Sequence, residues 1–387
     1  MLLIKNGNIH TITGEVIENG SILIDGKKIK QVGENIEPTN DMEVIDAQGK
    51  IVTPGFIDAH SHLGLWESAI GFEGADGNEA KDPITPHMRA IDAINPMDIT
   101  FEEARNAGIT STATGPGSAN ILGGTFIAIK TAKAKRVEEL VIKDPIAMKC
   151  AFGENPKNCY NNQNKMPTTR MAISAMFREV LSKAKVYMEK YEQANGNKAD
   201  EPTFDAKLHA LIPVLKKEIP LKAHAHRADD IFSALRIAKE FDLNITLEHV
   251  TEGHLIADEL KEANVTCNVG PSFGHRSKFE LKNLTFKTPG VLSKAGVKVA
   301  VITDAQVTPL HSLPMMAGLA VKHGMDEKEA FKAVTINPAE IIGISDKVGS
   351  IEVGKDADIV IWDGHPFSIE TEVELTIIDG KIEYKRN

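Results

Sequence analysis

Residues 221–250 read LKAHAHRADDIFSALRIAKEFDLNITLEHV. LKAHAH and ITLEHV are short apolar runs of strand character. Between them, ADDIFSALRIAKEF spaces its apolar residues at helical intervals, so it predicts a helix with one core face. Strand, helix, strand is the rhythm of βα units around a parallel sheet. The rhythm continues in both directions, from about Gly55 to Ser345. Candidate strands are IVTPGFIDAH, GITSTATGP, TFIAIKT, PIAMKCAFG, LKAHAH, ITLEHV, VTCNVGP and KVAVITD, and GHLIADELKEAN is a further helical stretch. Eight such strands close a (β/α)8 barrel of about 250 residues. The segment KVYMEKYEQANGNKADEPTFD reads as a helix running into a polar excursion.

The two ends have another pattern. LLIKNGNIHTI, SILIDGKKIKQVG and EVIDAQGKIVTPG alternate apolar and polar residues between NG, DG and QG turns. VGSIEVGKDADIVIWDG and VELTIIDGKIEYKRN repeat it near the other end. Neither end alone makes a stable core. The expected architecture is therefore α/β: a TIM-like (β/α)8 barrel over residues 55–345, with a small β-sandwich domain formed by residues 1–54 plus 346–387.

Composition bounds the function. With 387 residues, 42% hydrophobic and 25% charged, the chain is globular rather than disordered. A net charge of −10 argues against binding a phosphate backbone, and 5% aromatic content argues against a base-stacking platform. No nucleic-acid partner is expected. Cys150, Cys159 and Cys267 form no CxxC pair, which suits a reducing compartment. The start shows no signal-peptide pattern, and no stretch of ~18 apolar residues exists. A cytoplasmic location without a membrane partner is expected.

The chemistry sits at strand ends. His60 and His62 close the first strand, and residues two apart on a strand point to the same side. His224 and His226 repeat that arrangement, His249 ends ITLEHV, and Asp304 ends KVAVITD. Barrel active sites lie at the C-terminal ends of the strands. One HxH arises by chance, and a single buried histidine is more often a core residue than a ligand. Two HxH pairs with a further histidine and an aspartate in separate βα units exceed that expectation. Imidazole plus carboxylate suits zinc first, with iron, manganese or cobalt as alternatives.

VTPGFIDAHSHLG resembles the first-strand motif of the amidohydrolase superfamily, metal-dependent hydrolases on a distorted TIM barrel. VGSIEVGKDADIVIWDGHPF resembles its closing signature and TINPAEIIGI its last barrel helix, with the imidazolonepropionase-like hydrolases the nearest subgroup. The resemblance implies one or two divalent ions per chain. His60 and His62 match the first-strand ligands, His224 the fifth-strand ligand, His249 the sixth-strand histidine and Asp304 the eighth-strand aspartate. His226 matches either a ligand or a substrate-binding group. Members with two ions carry a bridging carboxylated lysine or glutamate on the fourth strand, and PIAMKCAFGENPK offers Lys149 and Glu154. Glu154 is favoured, because it is already a carboxylate and sits at the rim.

The implied reaction is hydrolysis of a C–N bond in a cyclic or linear amide of a small-molecule substrate. Asp304 would pass the proton, and His249 or His226 would polarise the carbonyl. Dipeptidase (prolidase-like) and N-acetyl deacetylase activities are alternatives, and a non-catalytic amidohydrolase-fold scaffold is the alternative of another class. Deaminases of the superfamily carry HxxE on the fifth strand, where this chain has Arg227. Arg227, and His275 and Arg276 on the loop VGPSFGHRSK, are candidate substrate-binding residues. Asn155, Lys157 and Tyr160 are further candidates for the barrel mouth. The edge of the terminal β domain could pair two copies into a homo-oligomer.

Overall fold

A computed structural model describes residues 1–68 and 71–386. Its strands begin with β1 (Leu2–His10), β2 (Val16–Asp25), β3 (Lys28–Gly33), β4 (Glu43–Asp46) and β5 (Ile51–Pro54). There follow β6 (Phe56–Ser61), β7 (Ile109–Thr114), β8 (Leu122–Lys130), β9 (Val141–Ala151), β10 (Leu221–Ala225), β11 (Ile245–His249), β12 (Thr266–Val269) and β13 (Val299–Val301). The last are β14 (Ile359–Trp362), β15 (Val373–Ile378) and β16 (Lys381–Lys385).

The terminal strands form one hydrogen-bonded sheet in the order β16-β15-β14-β5-β1-β2-β3, with β4 also on β1. A small β-sandwich domain drawn from both termini was expected. The pairing of β5 with both β1 and β14 joins the two ends of the chain in one sheet. Ile4, Ile22, Val52, Ile359 and Ile377 share its core. IVTPGFIDAH was read as one strand, but it divides between the sheets at Pro54 and Gly55. Pro54 has no N–H for a ladder. At Gly55 the chain passes so close to Thr110 that a side chain would collide with it.

The second sheet runs β13-β12-β11-β10-β9-β8-β7-β6 and is a nearly closed barrel. The eight sequence-read strands all form, in the expected order. The third departs from the (β/α)8 plan: β8 is antiparallel to both β7 and β9. The connections around it, residues 115–121 and 131–140, lack room for the crossover that parallel neighbours require. At the seam between β13 and β6, the Asp304 N–H donates to the His60 carbonyl at 3.2 Å. There Asp58 Oδ2 also accepts the Thr303 N–H at 2.9 Å and its hydroxyl at 2.6 Å.

Helices cover the parallel part. Ala228–Glu240 joins β10 to β11 and buries Ile231, Ala234, Ile237 and Ala238 at helical spacing. Arg170–Gln193, capped by the Thr169 hydroxyl, runs into the polar excursion read from the sequence. Lys130, at the end of β8, reaches into the terminal sheet and pairs with Asp358 at 2.6 Å, Asp356 at 3.3 Å and Asp379 at 3.4 Å. Among the described residues, no helix is long and apolar enough to cross a membrane.

Candidate metal centre

The barrel mouth collects side chains from five strands or strand ends. His60 and His62 come from β6, Lys149 from β9, His224 and His226 from β10, His249 from β11 and Asp304 from just beyond β13. Ligand atoms of His60, His62 and Asp304 lie within 4.8 Å of one another, as do those of His224, His226 and His249. The two groups adjoin, with the His60 and His249 ring centroids 5.2 Å apart. Asp304 Oδ1 is 3.1 Å from His62 Nε2 and 3.5 Å from His60 Nε2, and its Oδ2 is 3.9 Å from His249 Nδ1.

The backbone bends to make this possible. His249, Val250 and Asp304 have φ of 72°, 49° and 53°. Left-handed backbone costs a non-glycine residue about 1–3 kcal/mol and concentrates at functional sites. At His249 it ends the strand's alternation, so Glu248 and His249 both reach the same cluster.

Outer hydrogen bonds fix the imidazole tautomers. His62 Nδ1–H donates to the Gly115 carbonyl at 2.6 Å, and His249 Nδ1–H donates to the Gly270 carbonyl at 2.8 Å. His60 Nδ1–H donates to Glu248 Oε2 at 2.7 Å. In the neutral rings this leaves each Nε2 a bare lone pair. His224 is turned the other way. Its Nε2 faces Asn155 at 3.3 Å and Glu280 Oε1 at 3.5 Å, while its Nδ1 is buried without a partner among the described residues. Burial holds His60, His224, His226 and His249 well below the ordinary histidine pKa, so all four are neutral near pH 7. Burial alone would raise the Asp304 pKa, but His249, His62 and Lys149 hold it down to about 2. Bare nitrogens facing a carboxylate, and an unpartnered buried nitrogen, are the donor set of a divalent cation.

The two fourth-strand candidates are placed differently. Glu154 lies outside both groups; its Oε2 accepts the Glu280 N–H at 2.9 Å, and its own N–H donates to Glu280 Oε2 at 3.1 Å. Lys149 lies inside, fully buried, with Nζ 3.2 Å from His60 Nε2. Burial, reinforced by Lys222, lowers its pKa to about 8 against the pull of Asp304 and Glu248. Gly153, at φ 87°, ends the run after β9 and turns Glu154 into the next helix.

The substrate candidates separate. His226 is buried and stacks on His249 at 4.6 Å, with its Nδ1 2.7 Å from the Thr251 hydroxyl. Arg227 is turned to Asp229, at 2.9 and 2.8 Å. Arg276 is exposed and donates to the carbonyls of Lys282 and Leu284, and His275 is exposed. Sequence reading missed Glu248, Lys222, Asn268, Lys278 and Glu280. The signal for Lys222 and Glu248 was present: charged residues inside the short apolar strands LKAHAH and ITLEHV are buried and must find partners. They find each other at 2.9 Å.

Comparison with known proteins gives the same picture. The profile of the amidohydrolase family matches residues 51–382. Amidohydrolase tasK of Hapsidospora irregularis is 27% identical over 391 residues, which cover 94% of this chain and 40% of tasK. The chain thus spans well under half of that relative. An imidazolonepropionase of Fusobacterium nucleatum is 28% identical, over 90% of this chain and 86% of its own. The crystal structure of an amidohydrolase from Thermotoga maritima MSB8 is 44% identical with a TM-score of 0.96, covering 100% of both chains. With the fold, the strand-end histidines and these relatives in agreement, the chain belongs to the amidohydrolase family, hydrolases that act on carbon–nitrogen bonds.

Proposed function

We propose that this chain is a metal-dependent amidohydrolase acting on a cyclic or linear amide of a small molecule. One observation carries the reading. His60 and His62 each donate outward from Nδ1 and turn a bare Nε2 toward the Asp304 carboxylate, at 3.5 and 3.1 Å. Lone pairs facing each other this closely, out of water, are stabilised by a shared cation. His60, His62, His224, His249 and Asp304 are the proposed ligands, with Lys149 as the bridge in a two-ion site. Zinc is the first choice; iron, manganese and cobalt accept the same donors. When bound, such an ion acidifies its water toward neutral pH and polarises a carbonyl.

The protein's own groups do the rest. Lys149, with a pKa of about 8, is partly neutral near pH 7. Its amine can add to carbon dioxide, forming an N–C bond and releasing a proton, to give a buried carbamate. Asp304 stays ionised and is placed to take a proton from the attacking water and return it to the leaving nitrogen. His226, beside His249, is placed to polarise the substrate carbonyl. The likeness to imidazolonepropionases favours a cyclic amide. A dipeptidase is the second reading, because Lys149 rather than Glu154 reaches the histidines, which disfavours a deacetylase-type glutamate bridge.

The test is Asp304→Asn. It should keep the fold by circular dichroism and lower kcat about 100-fold or more on any cyclic ureide, dipeptide or N-acyl amino acid that the wild type cleaves. Near-normal turnover would refute the proton-transfer role. Less than about one divalent ion per chain after metal-replete growth would favour the scaffold reading.

A further inference from the structure

The β12 loop and the β10 terminus carry Arg227, Arg276 and Lys278 among their cations. Arg227 is engaged with Asp229, and Arg276 with backbone carbonyls of its own loop. Lys278 is arranged differently. Its Nζ donates to Glu280 Oε1 at 2.8 Å and to Asn155 Oδ1 at 3.0 Å. Asn155 is itself held by the Ser118 hydroxyl at 2.7 Å and lies 3.3 Å from His224 Nε2. Glu280 is 1% exposed, and its Oε1 also faces His224 Nε2 at 3.5 Å and His226 Nε2 at 3.6 Å. Its other oxygen accepts the Glu154 N–H. The loop is thus pinned to the start of the helix Glu154–Asn161 through the paired Glu154 and Glu280 backbone bonds.

The consequence is a fixed ammonium beside the histidine cluster. Among the described residues two of its three N–H donors are used, and one remains. The Lys278 side chain keeps 31% of its surface open, while the carboxylate behind it is closed off and shared with two imidazoles. The buried carboxylate is thus paired with a lysine that solvent still reaches. A lysine whose amine is held at both neighbours loses little further freedom when it takes a third partner.

We propose that Lys278 is the anchor for a substrate carboxylate, with Glu280 and Asn155 positioning it. This rests on the amidohydrolase reading and narrows it: the amide cleaved carries a carboxylate close to the scissile C–N bond. Either an α-carboxylate of a dipeptide or N-acyl amino acid, or a carboxylate arm on a cyclic amide, supplies that chemistry.

The experiment uses the metal-loaded enzyme and matched pairs: a dipeptide and its C-terminal amide, and a carboxylate-bearing cyclic ureide and its carboxamide. Turnover and binding by calorimetry are both measured, for wild type, Lys278→Met and Lys278→Arg. Wild type should favour the acid of the recognised pair by roughly 10- to 100-fold, the range of a hydrogen bond to a charged group. Lys278→Met should bring the acid-to-amide ratio toward one, mainly through KM, and Lys278→Arg should restore most of it. Which pair responds tells the two carboxylate sources apart. Equal handling of acid and amide by wild type, or an acid preference that survives Lys278→Met, overturns the proposal. Acid-selective binding without cleavage of any pair would leave the anchor standing and count against the hydrolase reading.

Discussion

Glu248 is fully buried and satisfied on every side. It accepts from His60 Nδ1 at 2.7 Å, Lys222 at 2.9 Å, Asn268 at 3.0 and 2.9 Å, and the Thr246 hydroxyl at 2.7 Å. It therefore sets the His60 tautomer and turns its Nε2 inward. Glu248→Gln should weaken zinc binding about 10- to 100-fold, measured by competition with a chelator. An unchanged affinity would show that His60 needs no such support. Glu248→Ala leaves the Lys222 ammonium buried and unpaired, and should cost about 3–5 kcal/mol in denaturant unfolding of the metal-free protein. Histidines two apart on a strand announce themselves, which is why four of those in the cluster were readable, and His249 stood out at a strand end. Glu248 was not, because strand alternation sends a residue adjacent to His249 to the opposite face. Only the left-handed backbone at His249 brings both inward. Glu154 was preferred over Lys149 for its ready charge. Position favours the other: Lys149 lies opposite Lys222 in the β9–β10 ladder, inside the barrel, while Glu154 follows the Gly153 turn.

At the scale of elements, strand order was legible in hydrophobic runs, but strand direction was not. The reversal of β8 follows from connection length, and a run such as TFIAIKT looks the same in either direction. The division of IVTPGFIDAH between two sheets was likewise hidden, since apolar residues stand on both sides of Pro54. Gly55→Ala should cost about 1–3 kcal/mol, because the added methyl runs into Thr110 and the strands must shift. A stability equal to wild type in urea would contradict that close approach. The Lys130 cluster joins the two sheets. Burial favours its neutral amine, but Asp358, Asp379 and Asp356 outweigh burial and raise its pKa. Burial would raise the Asp356 pKa too, but Lys28 and Lys130 lower it. The Lys130 contribution is therefore full below its unfolded pKa of ~10.4 and lost as pH rises through the folded value. The Asp356 contribution is present above ~3.9 and lost as pH falls through its lower folded value. Lys130→Met leaves Asp358 buried without its cation. It should destabilise by about 3–5 kcal/mol at pH 7, with a smaller loss at pH 3 as the carboxylates protonate. The same loss at both pH values would show that the cluster acts through packing alone.

The whole molecule is a barrel whose open end is finished by residues distant in sequence, braced by a sheet drawn from both ends of the chain. A cation bound only by the folded chain adds stability by mass action, about 2.7 kcal/mol at one hundred times its Kd. Adding zinc to chelator-treated protein should therefore raise Tm by several degrees, and His60→Ala or His224→Ala should reduce that rise. The most direct measurement is anomalous diffraction at the zinc edge from crystals grown with zinc. The account predicts density among His60, His62 and Asp304, about 2.0–2.1 Å from the histidine nitrogens, with a second peak near His224 and His249 if Lys149 bridges. Crystals showing no anomalous density at this end of the barrel, or a peak held by other residues, would contradict it.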